Sequence, residues 1–494
     1  MRLIYLFSLS FCCLQITLGQ NITAKVVDKT SKQPIPYASV QTAEHSGTMT
    51  NEEGFFSINQ ENVKNDRITI SCMGYVNKTV TLAQLKQHNN LILLDEGVNQ
   101  LAEVYLSNRK PNADSIIARV KRNLSKNYNS QNLNQELFYR ETTYTDFEDL
   151  DLEIEKASHV KQQKLDQANS SLDSLGREVK KNRMIFFKEF KGNLLTCSKD
   201  STKLNVLKAT KLVDKKKDFS IESIQEKTQE IILQYLDEDK TYKLKSGLFT
   251  VEDEMSLNDL KEKNKEEEKA VYSQGDLRSS TKGLLNNSQF YNDSFLNQLL
   301  DSNLYEYEFV NVSYINQDLI YIVDFLPDRS KSKYAGRLYI NDKDYAIIKA
   351  DYSYSEGKRG SKLNLKLLLG VKYIENLKQG TIIFQQDSTL GYQPNYIKEE
   401  SGSYFYVSRP LKFIENSISK NKVSLDFVIE GDLKNKKELL FSTVTALDNV
   451  EFKNYTEPKE IPYLLLSQYD SSIWKNTEVL EPLSEMKDYN SEND

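Results

Sequence analysis

Histidine and cysteine are the scarcest reactive residues of this 494-residue chain, at three and four copies. His45, His88 and His159 have no Glu or His at zinc-ligand spacing, which excludes the common helical zinc-site motifs and leaves them as surface or loop residues. Cys12 and Cys13 fall within the first 20 residues, so Cys72 and Cys197 alone serve the rest of the chain. Two cysteines cannot build a disulfide framework. Cys72 lies in the run Ile68-Thr69-Ile70-Ser71-Cys72-Met73, which reads as a strand, and is expected to be a small core residue. Charge of one sign is also lacking: the net charge of -6 is small for this length and argues against a general nucleic-acid binder. No second long apolar run follows the first residues, so no transmembrane helix is expected there.

Catalytic signatures are absent too. There is no Gly-x-Ser-x-Gly elbow, no P-loop and no dinucleotide fingerprint, and Cys197 has no histidine near it in sequence. The acidic clusters Asp237-Glu238-Asp239 and Asp342-Lys343-Asp344 lack the full calcium-loop pattern and read as turn or helix-end residues. Two carboxylates meeting in space, as in a glycosidase, is the arrangement a sequence leaves open. The expectation is a protein that is not an enzyme, with no catalytic, cofactor-binding or metal-binding residue and no cofactor.

What is present is a leader and a great deal of β pattern. Met1-Arg2 gives a basic start, residues 3–14 are apolar apart from Ser8 and Ser10, and Leu18-Gly19-Gln20 offers a cleavage site. That core is short for a bilayer, so residues 1–20 read as a signal peptide, with an uncleaved anchor as the alternative. Phe11 before Cys12 argues against lipidation, because a lipobox wants a small residue there. The length predicts roughly two to four domains. With 39% hydrophobic and 28% charged residues and a mean hydropathy of -0.59, the chain has a soluble profile.

Residues 21–107 read as a seven-stranded-type β-sandwich, with strands over 22–27, 37–42, 55–58, 67–72, 78–82 and 91–94. Asn51-Glu52-Glu53-Gly54 is a hairpin loop whose Gly54 suits a positive φ. Residues 108–303 read as a helical and mixed linker region with charged insertions. Ala113, Ile116, Ile117, Val120 and Leu124 share a helical face capped by Asn112 or Asp114 and closed at Tyr128-Asn129. A thin apolar stripe over 147–183 predicts a long, partly exposed helix or helical pair. A further helix is predicted over 220–236, where Ser223 and Glu226 have capping-box spacing. Residues 261–269 read as a solvated charge run.

From 304 to 447 the period becomes two, which predicts a large, half-barrel-like antiparallel sheet domain. Leu363, Leu365, Leu367, Val423, Leu425 and Phe427 are expected on its inner face, covered by the 113–124 or the 220–236 helix. A membrane barrel is disfavoured because no clear aromatic girdle is present. Residues 448–494 are left as a C-terminal tail that ends in disorder.

The N-terminal residues carry a resemblance. Val26-Val27-Asp28, Pro34-Ile35-Pro36-Tyr37-Ala38-Ser39-Val40, Gly47-Thr48-Met49-Thr50-Asn51-Glu52-Glu53-Gly54-Phe55-Phe56, Cys72-Met73-Gly74-Tyr75 and Leu101-Ala102-Glu103-Val104 together resemble the carboxypeptidase regulatory-like (transthyretin-like) domain of Bacteroidetes-type cell-envelope proteins. Ala24 stands where that family usually has Gly. Phe138-Tyr139-Arg140-Glu141 and the segment Ser472-Ile473-Trp474-Lys475-Asn476 with Leu480-Glu481-Pro482-Leu483 are similar to segments of the same group. Some relatives continue into a membrane barrel, which a chain stopping at Asp494 is expected to lack. The resemblance implies an exported, non-catalytic protein of the periplasm or outer membrane. It would act as an interaction or scaffold module with an envelope protein or outer-membrane component as partner. The alternative is a carrier or sensor of an apolar ligand, a lipid or lipoprotein, held in the sheet domain.

Overall fold

The computed structural model describes residues 21–43, 46–97, 111–128, 132–158, 160–198, 201–214, 221–237, 239–247, 249–256, 270–290, 293–475 and 477–489. The expected leader 1–20, His45, 101–104, Asn129, His159, Ser220, Glu238, 261–269, Asn476 and the last residues 490–494 lie outside these.

The predicted sandwich is present. Its strands are β1 (Asn21–Asp28), β2 (Ser39–Ala43), β3 (Ser46–Met49), β4 (Phe55–Asn59), β5 (Arg67–Ser71), β6 (Lys78–Thr81) and β7 (Leu91–Leu94). They form one sheet in the order β4-β1-β7 and a second in the order β3-β2-β5-β6. Alternate residues point inward, so Val26, Val40, Phe56, Ile58, Ile68, Ile70 and Leu94 make a core with 0–1% exposure. Helix α1 (Leu82–Gln87) closes one end with Leu82 and Leu85, behind a Thr81–Gln84 capping box. Gly54 sits at φ 78, and a Cβ there would meet the Val26 carbonyl oxygen at 2.6 Å.

Most of the remaining chain builds one open sheet. Its strands are β8 (Leu133–Ala157), β9 (Met184–Thr196), β10 (Thr202–Leu212), β11 (Thr241–Ser246) and β12 (Phe249–Ser256), then, after a short separate strand β13 (Val271–Ser273), β14 (Tyr305–Ile315), β15 (Asp318–Pro327), β16 (Tyr334–Asn341), β17 (Ile347–Tyr354), β18 (Lys362–Leu365), β19 (Val371–Asp387), β20 (Gly391–Glu415) and β21 (Lys422–Ala446). Strand β22 (Glu460–Pro462) pairs with β13, and β23 (Leu464–Leu466) joins the large sheet. The main path runs β14-β15-β16-β17-β19-β20-β21-β8-β9-β10-β23, and the two ends do not meet, so the sheet is not a barrel.

One face of this sheet is covered by helices α2 (Ala113–Asn127), α5 (Gln274–Asn287) and α6 (Phe295–Leu299). Asn112 caps α2 by accepting from the Ser115 amide at 2.7 Å. Val120 of α2 and, beneath the helices, Leu137, Tyr139, Phe190, Ile397 and Leu439 are all 0% exposed. Helices α3 (Gln162–Lys181) and α4 (Ile221–Leu233) cover a second cluster toward the far ends of β8 and β21, around Leu152, Ile154, Leu172, Val423 and Leu425.

Four expectations need correction. The stripe over 147–183 is not one helix: β8 continues to Ala157, and only Gln162–Lys181 is helical. Leu150, Leu152 and Ile154 alternate with charged residues at strand period, and pairing with β21 keeps that register. The sheet also does not begin at 304, because β8 to β12 come from the segment read as a linker. Ile221 and Glu222 are already helical, which puts Ser223 inside helix α4 instead of at its cap. Finally, Val423 and Leu425 are buried, but Leu363 and Leu367 are 46% and 101% exposed, while Leu365 and Phe427 are half-buried. Strand β18 ends at Leu365 and Lys366–Leu369 is a helical turn, so the alternation stops where the covering layer does.

Candidate functional site

The sheet's other face carries charge where it meets the sandwich. Register sets this up across four strands. Ile397, Leu439, Tyr139 and Phe190 stand directly opposite one another on the helix-covered face. The neighbouring row is Lys398, Glu438, Arg140 and Glu189, facing the other way with charges in alternating sign. The next row on the same face begins with Glu400, Lys436 and Thr142. Glu438, Arg140 and Glu189 are buried at 5%, 4% and 1% exposure.

Each charge has a partner. Arg140 Nε donates to Glu189 Oε1 at 2.7 Å, and its Nη2 donates to the Leu480 carbonyl at 2.8 Å. Trp474 Nε1 donates to Glu189 Oε2 at 2.8 Å, with its ring edge-on to Phe138. Tyr396 donates its hydroxyl to Glu438 at 2.8 Å. From the sandwich, Glu52 reaches in and is held by Lys398 at 2.7 Å and Lys436 at 2.8 Å. Burial pushes the Glu52 carboxyl up, but Lys436 and Lys398 outweigh it and hold it at about 2, below its ordinary 4.5. Burial acts against the Arg140 charge, and Glu189 and Glu438 overcome it, so its value is raised. Tyr396 is pushed well above its ordinary value by burial and by Glu438.

The segment read as a tail closes this junction. Thr42 and Ser46 donate to the Glu478 carboxylate at 3.1 Å. Asn51 Nδ2 donates to the carbonyls of Glu481 and Pro482, both at 3.1 Å, and the Ser484 hydroxyl donates to Glu53 at 2.8 Å. Burial raises the Glu478 carboxyl, against its hydrogen bonds from Thr42 and Ser46. Leu480, Val479, Trp474, Phe138, Leu440, Tyr396 and Met49 fill the space beneath. Elsewhere, the Gly74 amide donates to the Tyr314 carbonyl at 2.9 Å, tying the sandwich to the β14 edge of the sheet.

Between these two attachments lies a cleft of about 660 Å³. Tyr37, Gln41, Cys72 and Met73 line it from the sandwich, and Ile315, Asn316, Tyr339, Lys349, Gln385 and Asn395 from the sheet. Lys349 is paired with Asp351 at 2.9 Å and lies over the Tyr339 ring. The Cys72 thiol in its wall is pushed up to about 11 by burial, which leaves almost no thiolate near neutral pH. The arrangement is suited to holding surfaces together and to presenting a cleft. It places no activated nucleophile beside a base.

The residues weighed from sequence fall outside it. His88 is exposed at the end of α1, with Nδ1 2.7 Å from the Gln84 carbonyl. Asp237 accepts from the Asp239 amide and Asp344 from the Ala346 amide, as turn residues do. Cys72 and Cys197 are free thiols, and Cys197 lies beside Asn449. Among the described residues no group of three or more His, Cys, Asp or Glu is placed to hold a metal ion. Glu52, Arg140, Glu189, Lys398, Lys436, Glu438 and Trp474 were missed. The signal was faint: charges on alternate strand residues read as a wet face, and nothing local reports that a second domain will cover it.

No curated protein matches the chain. A family model matches residues 22–106. The N-terminal sandwich that sends Glu52 into the sheet is thus a CarboxypepD_reg-like domain, a regulatory and non-catalytic module.

Proposed function

We propose that this protein is a non-catalytic interaction scaffold of the cell envelope, in which the CarboxypepD_reg-like sandwich and the large sheet act as one rigid body. The observation that supports this reading most is the Glu52 contact with Lys398 and Lys436, set in a buried charge row and locked by residues 474–484. So many satisfied polar groups at one junction favour a single relative placement of two domains over free movement. The apolar leader favours export. The partner would be an envelope protein or outer-membrane component, met at the cleft that both domains line.

Photo-crosslinking from Gln41 and Asn395 in intact cells, with fractionation, tests this. Crosslinks to an envelope component from both positions, in an exported pool, are expected. Retention of residues 1–20 in a cytoplasmic pool would refute it. The carrier reading is favoured by one feature, the cleft itself, since the helix-covered face is filled by side chains at 0% exposure. Native mass spectrometry with lipid extraction separates the two: a stoichiometric lipid lost on Gln41→Trp favours the carrier.

A further inference from the structure

The strongest unexplained surface lies on the edge of β20, where β19 ends and β11 begins. Between Glu356 and Glu375 the chain carries Lys358, Arg359, Lys362, Lys366 and Lys372 and no acidic residue, within a protein of net charge -6. The same stretch carries five leucines, from Leu363 to Leu369. Leu367 is 101% exposed and Leu368 82%.

These leucines are held out by structure. The Gly370 amide donates to the Lys366 carbonyl at 3.1 Å, and Gly370 sits at φ 65. The Ser408 amide donates to the Gly370 carbonyl at 2.7 Å, and Arg409 Nε to the Leu369 carbonyl at 2.9 Å. The turn is thus fixed to β20 with its apolar side chains facing solvent. Lys366 lies 3.7 Å from the Tyr406 ring centroid and Lys372 4.6 Å from that of Tyr404. Tyr373, 38% exposed, points from the opposite face of β19. Two neighbouring acids are engaged: Glu375 accepts from Tyr354 and Ser361, and Glu430 from Tyr404. Further along the same edge, the β11–β12 tip exposes Phe249 and Val251.

We infer that this turn docks the protein on an anionic lipid surface. Leu367 and Leu368 enter the acyl boundary, the tyrosines sit at headgroup level, and the lysines and Arg359 meet the lipid phosphates. Apolar side chains ringed by cations and aromatics match such an interface. The inference deepens the envelope reading, but vesicle binding in vitro does not depend on where the protein resides in the cell.

The test is co-sedimentation of the full chain, freed of residues 1–20, with phosphatidylcholine vesicles containing or lacking phosphatidylglycerol. Binding is expected only with phosphatidylglycerol and is expected to fall as salt rises. The double substitution Leu367→Asp and Leu368→Asp is expected to weaken it by at least about tenfold. Because both side chains are exposed, the melting temperature of that variant stays that of the parent. Leu368→Trp reports insertion by a blue shift on vesicle addition that the parent, whose Trp474 is already buried, does not show. Equal binding by parent and double variant, or no binding to phosphatidylglycerol vesicles at low salt, would overturn the inference. So would a dimer that the aspartates dissolve without any vesicle binding.

Discussion

Replacing Glu52 with Gln tests whether the charge row holds the two domains together. The Glu52 carboxyl is held at about 2 in the folded chain against 4.5 ordinarily. That gap corresponds to roughly 3 kcal/mol. A third of the side chain is exposed, so screening reduces its worth to about 2 kcal/mol. Lys398 keeps Glu400 at 3.4 Å and Lys436 keeps Glu438 at 3.9 Å, so neither cation is left alone and the larger cost of an orphaned buried charge does not apply. Trp474 is the chain's one tryptophan and lies in this junction, 3% exposed, which makes its emission a local reporter. In urea, the Trp474 transition of E52Q is expected at lower denaturant than the parent's, by an amount equivalent to about 2 kcal/mol. The pH dependence has a definite sign. A carboxyl whose folded value lies below its unfolded value stabilises fully above 4.5 and loses that contribution as the pH falls toward 2. The difference between parent and E52Q should therefore shrink across that window. Superimposed curves near neutral pH, or a difference that does not shrink on acidification, would refute the electrostatic account of the junction.

Other outcomes follow from burial and backbone conformation. Gly54→Val should lower stability by roughly 1 kcal/mol or more, since φ 78 and the Val26 carbonyl at 2.6 Å both oppose a β-branched side chain, and a thermal melt reads it. Leu425→Asp should unfold the cluster under α3 and α4, because Leu425 is 2% exposed, whereas Leu367→Asp should leave circular-dichroism melts unchanged. Alkylation of Cys72 by iodoacetamide should be slow near neutral pH and accelerate only toward pH 11, and a rate already at its plateau at lower pH would contradict its burial.

The sandwich was legible because its strands are short, its turns carry Gly and Pro, and its core, from Ile22 to Leu94, is built from its own strands. The large sheet was legible in period but not in extent. Strand β8 holds Leu150, Leu152 and Ile154 at spacing two, yet it runs through acidic residues toward a true helix, and the two patterns blur into one stripe. The Leu363–Leu369 alternation pointed to burial, but alternation reports only which side chains share a face. Whether anything covers that face depends on chain far away, here on β20 and β11. The charge row was least legible, because Lys398, Glu438, Arg140 and Glu189 meet only through three separate strand pairings.

The contact between Thr42 and Glu478 spans 436 residues of chain. Synthesis proceeds from the N-terminus, so the sandwich, made first, has to wait for residues 474–484 before its hairpin is latched. Strand β8 cannot begin to pair with β21 until residue 423 has been made, and the ladder is complete only at residue 446. Pairings this distant close slowly. A nascent chain therefore spends most of its elongation with the β21-facing edge of β8 unpaired and Arg140 still solvated, and Lys398 and Glu438 join it only late. A ribosome stall or proteolytic cut just before Trp474 would leave a folded sandwich tethered to an unlatched sheet, with Phe138, Leu440 and Tyr396 stripped of Trp474 and Leu480, a species that a holding chaperone would recognise by that bare apolar patch and that a protease would remove.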